Sequence, residues 1–145
     1  MFSIYLAGPI ENVDIEYSTL WRGRAMRHSA HILAPGDHMD PLAQREQFVK
    51  CVDPTFYDGV TEGLTASEVV IRDTFLLEDS DAVLADGRRP GWGTAMEILR
   101  AYQSGKLVVV WGCEKPSLFL EHHTAKFVRT PEEGIDYIVK LLRLM

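Results

Sequence analysis

The sequence predicts a single α/β domain spanning residues 1–145, with a parallel sheet covered by helices on both faces. Three observations carry this. Short, continuously apolar runs recur along the chain, as buried parallel strands require. Longer stretches with apolar residues at helical spacing alternate with them. Several of those stretches open on a Thr-x-x-Glu capping signature.

The first strand is expected at Ser3–Ala7 and the first helix at Ile15–Ser29, where Tyr17, Leu20, Trp21 and Ala25 recur with helical period. Ile32–Leu33 reads as a weak strand. The segment Pro35–Gly63 is irregular, with a short helix expected at Leu42–Val52. A helix follows at Ala66–Glu78 behind Thr65-x-x-Glu68, and then a strand at Ala82–Ala85. The next helix, Thr94–Ser104, begins on Thr94-x-x-Glu97 and stops at Gly105. Strands at Leu107–Trp111 and Lys126–Val128 precede a last helix, Pro131–Leu142, with Thr130-x-x-Glu133 at its start and Pro131 in the first helical position.

Composition narrows the function. A net charge of −6 argues against a nucleic-acid polymer, whose partners neutralise phosphates with Lys and Arg, but not against a small nucleoside or nucleotide. Cys51 and Cys113 lie far apart, form no metal-ligand spacing and read as reduced thiols of a cytoplasmic protein. No apolar run reaches the length of a membrane span, and the N-terminus reads as a strand rather than a signal peptide. The five histidines show no zinc spacing. The chain has no G-x-S-x-G, Walker A or G-x-G-x-x-G motif, so hydrolase triads, P-loop NTPases and dinucleotide enzymes lose ground.

In open parallel sheets, ligands bind beyond the carboxyl ends of the strands, where strand order reverses. Two loops qualify, Ala7–Ile10 and Asp86–Glu97, and neighbouring parent strands would bring them together. The second contains Pro90-Gly91-Trp92-Gly93, whose glycines would let backbone approach a ligand closely or adopt positive φ. Glu97 has two readings: a capping-box carboxylate, or an ionised nucleophile suited to attack on a sugar anomeric carbon. Asp73 shares a helix stripe with Val69, Val70, Leu76 and Leu77, and would be either a buried functional carboxylate or the partner of Arg72. Tyr5, inside a strand, is core packing unless its hydroxyl meets a carboxylate from the facing loop.

The stretches Ile4–Ile10 (IYLAGPI), Arg72-Asp73, Ser80–Asp86 (SDAVLAD) and Gly93–Val110 together resemble the nucleoside 2-deoxyribosyltransferase family. That family also contains 2'-deoxynucleoside 5'-phosphate N-hydrolases and cytidylate N-hydrolases. The resemblance spans most of the chain; Pro35–Gly63 and Cys113–Lys126 match poorly. It implies a flavodoxin-like domain with a five-stranded parallel sheet, and cleavage of an N-glycosidic bond without metal or organic cofactor. It implies Glu97 as nucleophile, Tyr5 as the residue that orients it, and Asp73 as the assistant at the base end. It also implies a homo-oligomer, a dimer or larger. Substrate contacts would come from Gly8, Pro9, Ile10, Gly91, Trp92 and Gly93, with Asp86 the nearest match to the family's sugar-binding carboxylate, though displaced in sequence. Trp92, Phe56, Tyr57 and Trp21 are the aromatic candidates to stack on a base, with core packing favoured for Trp21.

The chain departs from the pattern of the 5'-phosphate hydrolases, with Glu11 and Asn12 where an Arg falls and Gly91 where a Ser falls. That tilts the reading toward free nucleosides, unless Arg22, Arg24, Arg88 or Arg89 reaches a phosphate. Transfer to a second base and hydrolysis of a (deoxy)nucleoside 5'-monophosphate remain nearly even. Two further alternatives are a phosphoribohydrolase of cytokinin-type nucleotides, disfavoured by chain length and the YLAGP start, and a nucleotide-binding module without turnover.

Overall fold

A computed structural model of the chain describes residues 2–10, 13–32, 49–55, 63–89 and 91–144. Five parallel strands form one sheet: β1 (Phe2–Ala7), β2 (Val49–Val52), β3 (Ala82–Asp86), β4 (Leu107–Trp111) and β5 (Lys126–Val128), in the spatial order β2-β1-β3-β4-β5. This is the flavodoxin-like order, and strand order reverses between β1 and β3. The register pairs Tyr5 with Val83 and Ala7 with Ala85, so the two loops singled out above leave the sheet side by side.

Alternation along the strands divides the core in two. Ile4, Leu6, Ala82, Leu84, Val109 and Trp111 face α1 (Ile15–Ala30) and the C-terminal helix α5 (Pro131–Leu144). Tyr5, Ala7, Val83, Ala85, Val108 and Val110 share a cluster with Leu77 of α2 (Ala66–Glu78) and with Ile98 and Ala101 of α3 (Trp92–Gln103). A short helix, α4 (Leu118–His123), precedes β5. Trp21 lies in the first cluster against Trp111, their ring centroids 5.6 Å apart, so it is a core residue.

Four expectations are corrected. The strand beside β1 is Val49–Val52, not Ile32–Leu33; Ile32 follows α1, and Leu33 lies outside the described residues. The helix expected at Leu42–Val52 does not extend over Val49–Val52. Pairing with β1 overrides it, burying Val49 and Cys51 and leaving Lys50 exposed. The rest of that expected helix lies outside the described residues. The stripe on α2 is not buried as expected: only Leu77 is fully buried, while Val70, Ile71 and Phe75 are exposed. α3 begins two residues before Thr94, with Gly91 as its N-cap and no side-chain cap.

Two capping interactions match the sequence. Thr65 and Glu68 form a complete reciprocal box at α2. At α5 the Thr130 hydroxyl accepts from the Glu133 amide at 3.2 Å, and the Glu133 carboxylate takes the Arg129 amide instead of that of Thr130.

Candidate active site

The start of α3 decides how Glu97 is read. With Gly91 as N-cap, Thr94 is the third helical residue and Glu97 lies in the second turn. Glu97 therefore cannot close a capping box with Thr94. It sits one residue from the stripe Thr94, Ile98 and Ala101 that faces the sheet. Among the described residues its Oε2 is buried without a hydrogen-bond partner, and the same holds for the Tyr5 hydroxyl and the Thr94 hydroxyl. Buried polar atoms are normally paired, and leaving one unpaired costs about 1–3 kcal/mol. Seven side-chain atoms are in that position among the described residues, and two of them, the Tyr5 hydroxyl and Glu97 Oε2, belong to side chains that face each other.

Tyr5 is wholly buried, and its hydroxyl faces Glu97. The contact falls short of strict hydrogen-bond geometry, yet each group acts on the other. Burial pushes the phenol far above its ordinary range, and the charges of Glu97 and Asp73 push it further. The phenol therefore stays protonated and presents a donor to the carboxylate. Burial raises Glu97 to about 7; the Tyr5 hydroxyl and the Arg22 charge oppose that rise, and the Asp73 charge adds to it. Glu97 is thus poised near neutrality, as acid–base and nucleophilic groups often are.

Asp73 is less enclosed than its sequence neighbours suggested. Its side chain is about one-fifth exposed, and Arg72 binds it at 3.0 Å. Its charge still reaches both Tyr5 and Glu97. The three residues chosen as catalytic candidates therefore form one electrostatic group, drawn from β1, α2 and α3.

The glycines of the second loop behave differently from Gly8. A Cβ on Gly8 would come within 3.0 Å of Trp21, 3.1 Å of Asp86 and 3.3 Å of Arg22, so packing demands glycine there. Among the described residues, a Cβ on Gly91 would meet nothing nearer than Pro9 at 4.0 Å, and one on Gly93 would meet nothing within 4 Å. Neither has positive φ. Packing among the described residues demands neither glycine, and both leave room for close approach from outside. The 4.0 Å neighbour also shows that the two loops do meet. Ile10 and Trp92 are both exposed at this end, Trp92 at 87%. Phe56, Tyr57, Glu11 and Asn12 lie outside the described residues.

Asp86 points elsewhere. It is fully buried and accepts from the Arg88 amide, Nε and Nη2 at 2.8–3.0 Å. Arg88 lies 4.0 Å from the Tyr17 ring centroid and 4.4 Å from that of Trp111, and donates to the Tyr17 carbonyl. Arg88 clamps Asp86 while staying at the surface, and the exposed Arg89 lies over Tyr17 at 4.4 Å. Arg22, considered above as a phosphate ligand, is completely buried and engaged by backbone carbonyls. Arg24 makes a bidentate pair with Glu132 of α5.

Sequence reasoning missed the burial of Thr94 and of Arg22. Thr94 was hidden by its match to a capping box.

No family model matches the chain, and no curated protein sequence matches it. Solved structures do. A conserved protein from Enterococcus faecalis aligns over 98% of this chain and 99% of its own, at a TM-score of 0.68 and 16% identity. The 2-deoxyribosyltransferase of Bacillus psychrosaccharolyticus aligns over 93% and 91%, at 0.64 and 14% identity. That of Leishmania mexicana aligns over 97% and 98%, at 0.64 and 18% identity. The resemblance read from the sequence is thus met at the level of the whole fold.

Proposed function

We propose that the protein is a nucleoside 2-deoxyribosyltransferase that works through a covalent glycosyl ester on Glu97. The observation that carries this reading is the Glu97 carboxylate itself. It is held near neutrality beside a protonated phenol, with one oxygen unpartnered among the described residues, on a helix that opens on two glycines that packing among those residues does not require.

A carboxylate oxygen attacks C1' of a 2'-deoxynucleoside, and the C1'–N bond breaks as the base departs and takes up a proton. Tyr5 donates toward the attacking carboxylate and fixes its direction. Asp73 stands at the base end. A second base then attacks C1', the ester bond breaks, and Glu97 is returned as a carboxylate. Two inversions retain the configuration. The loop glycines and the exposed Trp92 supply the approach surface for sugar and base. Ile71 and Phe75 of α2 and Trp92, Met96 and Leu99 of α3 are all exposed, an apolar surface fitted to a second copy of the chain. In this reading the enzyme is a homo-oligomer. Light scattering should give a dimer or larger, and Phe75→Asp should shift it toward monomer; a wild-type monomer with full activity contradicts the assembly.

The deciding experiment incubates the protein with a 2'-deoxynucleoside and a different free base, and separates the products by liquid chromatography. A new deoxynucleoside is expected. Free base without a new nucleoside would make water the acceptor, and the enzyme a hydrolase. No base release from any nucleoside or nucleoside monophosphate, with folded protein, would remove the reading.

A further inference from the structure

We propose that Thr94 is a substrate-binding residue: its hydroxyl and the open first turn of α3 hold a hydroxyl of the sugar whose C1' is presented to Glu97. The proposal deepens the reading of Glu97 given above and rests on it.

The buried polar and charged residues of the described chain are Ser18, Arg22, Ser29, Ser80, Asp86 and Thr94. All but the last have partners. The hydroxyls of Ser18, Ser29 and Ser80 donate to the carbonyls of Ile15, Met26 and Leu76 at 2.8–3.0 Å. Arg22 donates to the Leu6 and Gly8 carbonyls, and Asp86 accepts from Arg88. The Thr94 hydroxyl, on a side chain only 2% exposed, has no partner among the described residues. A helical threonine can satisfy itself by donating to the carbonyl three or four residues back. Thr19 of α1 does so, reaching the Ile15 carbonyl at 2.7 Å. Thr94 does not turn to the Gly91 carbonyl, which takes the Ala95 amide at 3.1 Å.

The Ala95 amide makes the first bond of α3, so the amides of Trp92, Gly93 and Thr94 have no acceptor within the helix. No side chain caps them, and the N-cap is Gly91. Helical side chains lean toward the N-terminus of their helix. Thr94 therefore carries its hydroxyl over this first turn, on the side that faces the sheet. Donor amides meet there with a hydroxyl that can both give and take a hydrogen bond. An anion is a poor match for the place. The charges of Asp73 and Glu97 act on the same side of the sheet, and Arg22, Arg24, Arg72 and Arg88 are committed to carbonyls and carboxylates of the chain. A neutral sugar hydroxyl is a good match, since it accepts from an amide and donates to Thr94 Oγ1. Glu97 follows Thr94 by three residues, about 4.5 Å along the helix axis. That spacing is comparable with the reach from an outer hydroxyl of a furanose to its C1'.

The test measures, by calorimetry, the binding of an uncleavable 2'-deoxy-C-nucleoside and of its 3'-deoxy and 5'-deoxy counterparts to the wild type, Thr94→Val and Thr94→Ser. Thr94→Val should bind the parent compound about tenfold more weakly than the wild type. Thr94→Ser, which keeps the hydroxyl, should bind it as the wild type does. The counterpart that lacks the contacted hydroxyl should bind the wild type and Thr94→Val alike, which tells the 3' from the 5' position. Thr94→Val should also melt at or above the wild type, because it removes a buried unpaired hydroxyl. Wild-type affinity in Thr94→Val, an equal loss with all three compounds, or no binding by the wild type overturns the proposal. So does a Thr94→Val that melts well below the wild type or does not fold, since the hydroxyl would then have its partner inside the protein. Binding needs no turnover, so a loss of affinity confined to Thr94→Val stands even if base exchange is never seen. Exchange that proceeds unchanged in Thr94→Val removes this proposal and leaves the function standing.

Discussion

Helices α3 and α5 lie on opposite faces of the same sheet, and they are built differently. α5 has Pro131 in its first position and the Thr130 hydroxyl on the Glu133 amide, and it buries Ile135, Ile138, Val139 and Leu142 in one stripe. Its polar side is tied to α1 through Arg24–Glu132 at 2.8 Å and His28–Asp136 at 2.7 Å. α3 has a glycine N-cap with no side-chain cap, a second glycine in its first turn, and, among the described residues, unpartnered hydroxyl and carboxylate atoms on its inner side. Its outer side exposes Trp92, Met96 and Leu99. Local rules that agree with the fold identify elements that only hold it; rules broken together at one place identify where stability has been given up for something else.

The largest expected effect is at Glu97. Glu97→Gln should lower base exchange by about three orders of magnitude or more, since the nucleophile is gone. Its effect on stability should have the opposite sign to the loss of a cap. Glu97 titrates near 7 in the folded chain, against an ordinary value of 4.5. Between those values the folded state holds a proton that the unfolded state has released, so stability falls as pH rises through that window. Above pH 7 the full cost of a buried ionised carboxylate is present, about 3 kcal/mol. The glutamine variant escapes that cost. Its melting temperature should exceed that of the wild type at pH 8 and approach it at pH 4. A variant that is less stable at both pH values would return Glu97 to a structural role.

On α5 the same kind of change has the reverse signature. Ile138 is fully buried against the sheet. Ile138→Ala should cost about 2–5 kcal/mol in a denaturant titration, with the specific activity of the folded fraction kept. If exchange per folded molecule dropped as it does for Glu97→Gln, the division of labour between the two helices would fail.

Tyr5→Phe falls between these. It removes the donor facing Glu97 and relieves a buried unpaired hydroxyl, so stability should hold or rise slightly. Turnover should fall about 10–100-fold. Because the phenol lowers the Glu97 pKa, the acid limb of the pH–rate profile should move to higher pH. A profile superimposable on the wild type would mean that the two groups do not communicate.

The legibility of the molecule divides along the same line. α5, β1, β3 and β4 could be read almost to the residue, because each satisfies periodicity and punctuation at once. The Tyr5, Asp73 and Glu97 group was readable because a strand tyrosine and a helix carboxylate next to a glycine-rich loop are locally anomalous. β2 was not, since Val49–Val52 is short and its pairing with β1 is a tertiary event. The start of α3 was misread because Thr94-x-x-Glu97 imitates a cap; only the backbone reveals that the helix has already begun. The burial of Arg22 could not be seen either, because its partners are carbonyls, which every residue carries.

The smallest effect concerns the 5' end of the substrate, and it follows from where the arginines go. A bound phosphate needs charge-assisted donors. Arg22 is enclosed and directed at carbonyls, Arg24 is held by α5 through Glu132, Arg72 binds Asp73, and Arg88 is sandwiched between rings while binding Asp86. These four arginines are thus engaged in holding the fold, and the start of α3 adds Gly91, which has no side-chain donor, at the loop. Arg89 lies over Tyr17 and would have to leave that ring to reach a phosphate. A deoxynucleoside is therefore expected to be used at least as well as its 5'-monophosphate. Comparing kcat/KM for the pair with the same base checks it. A tenfold preference for the monophosphate, about 1.4 kcal/mol in transition-state binding, would mean that Arg89 swings into the site, and Arg89→Ala should then abolish that preference.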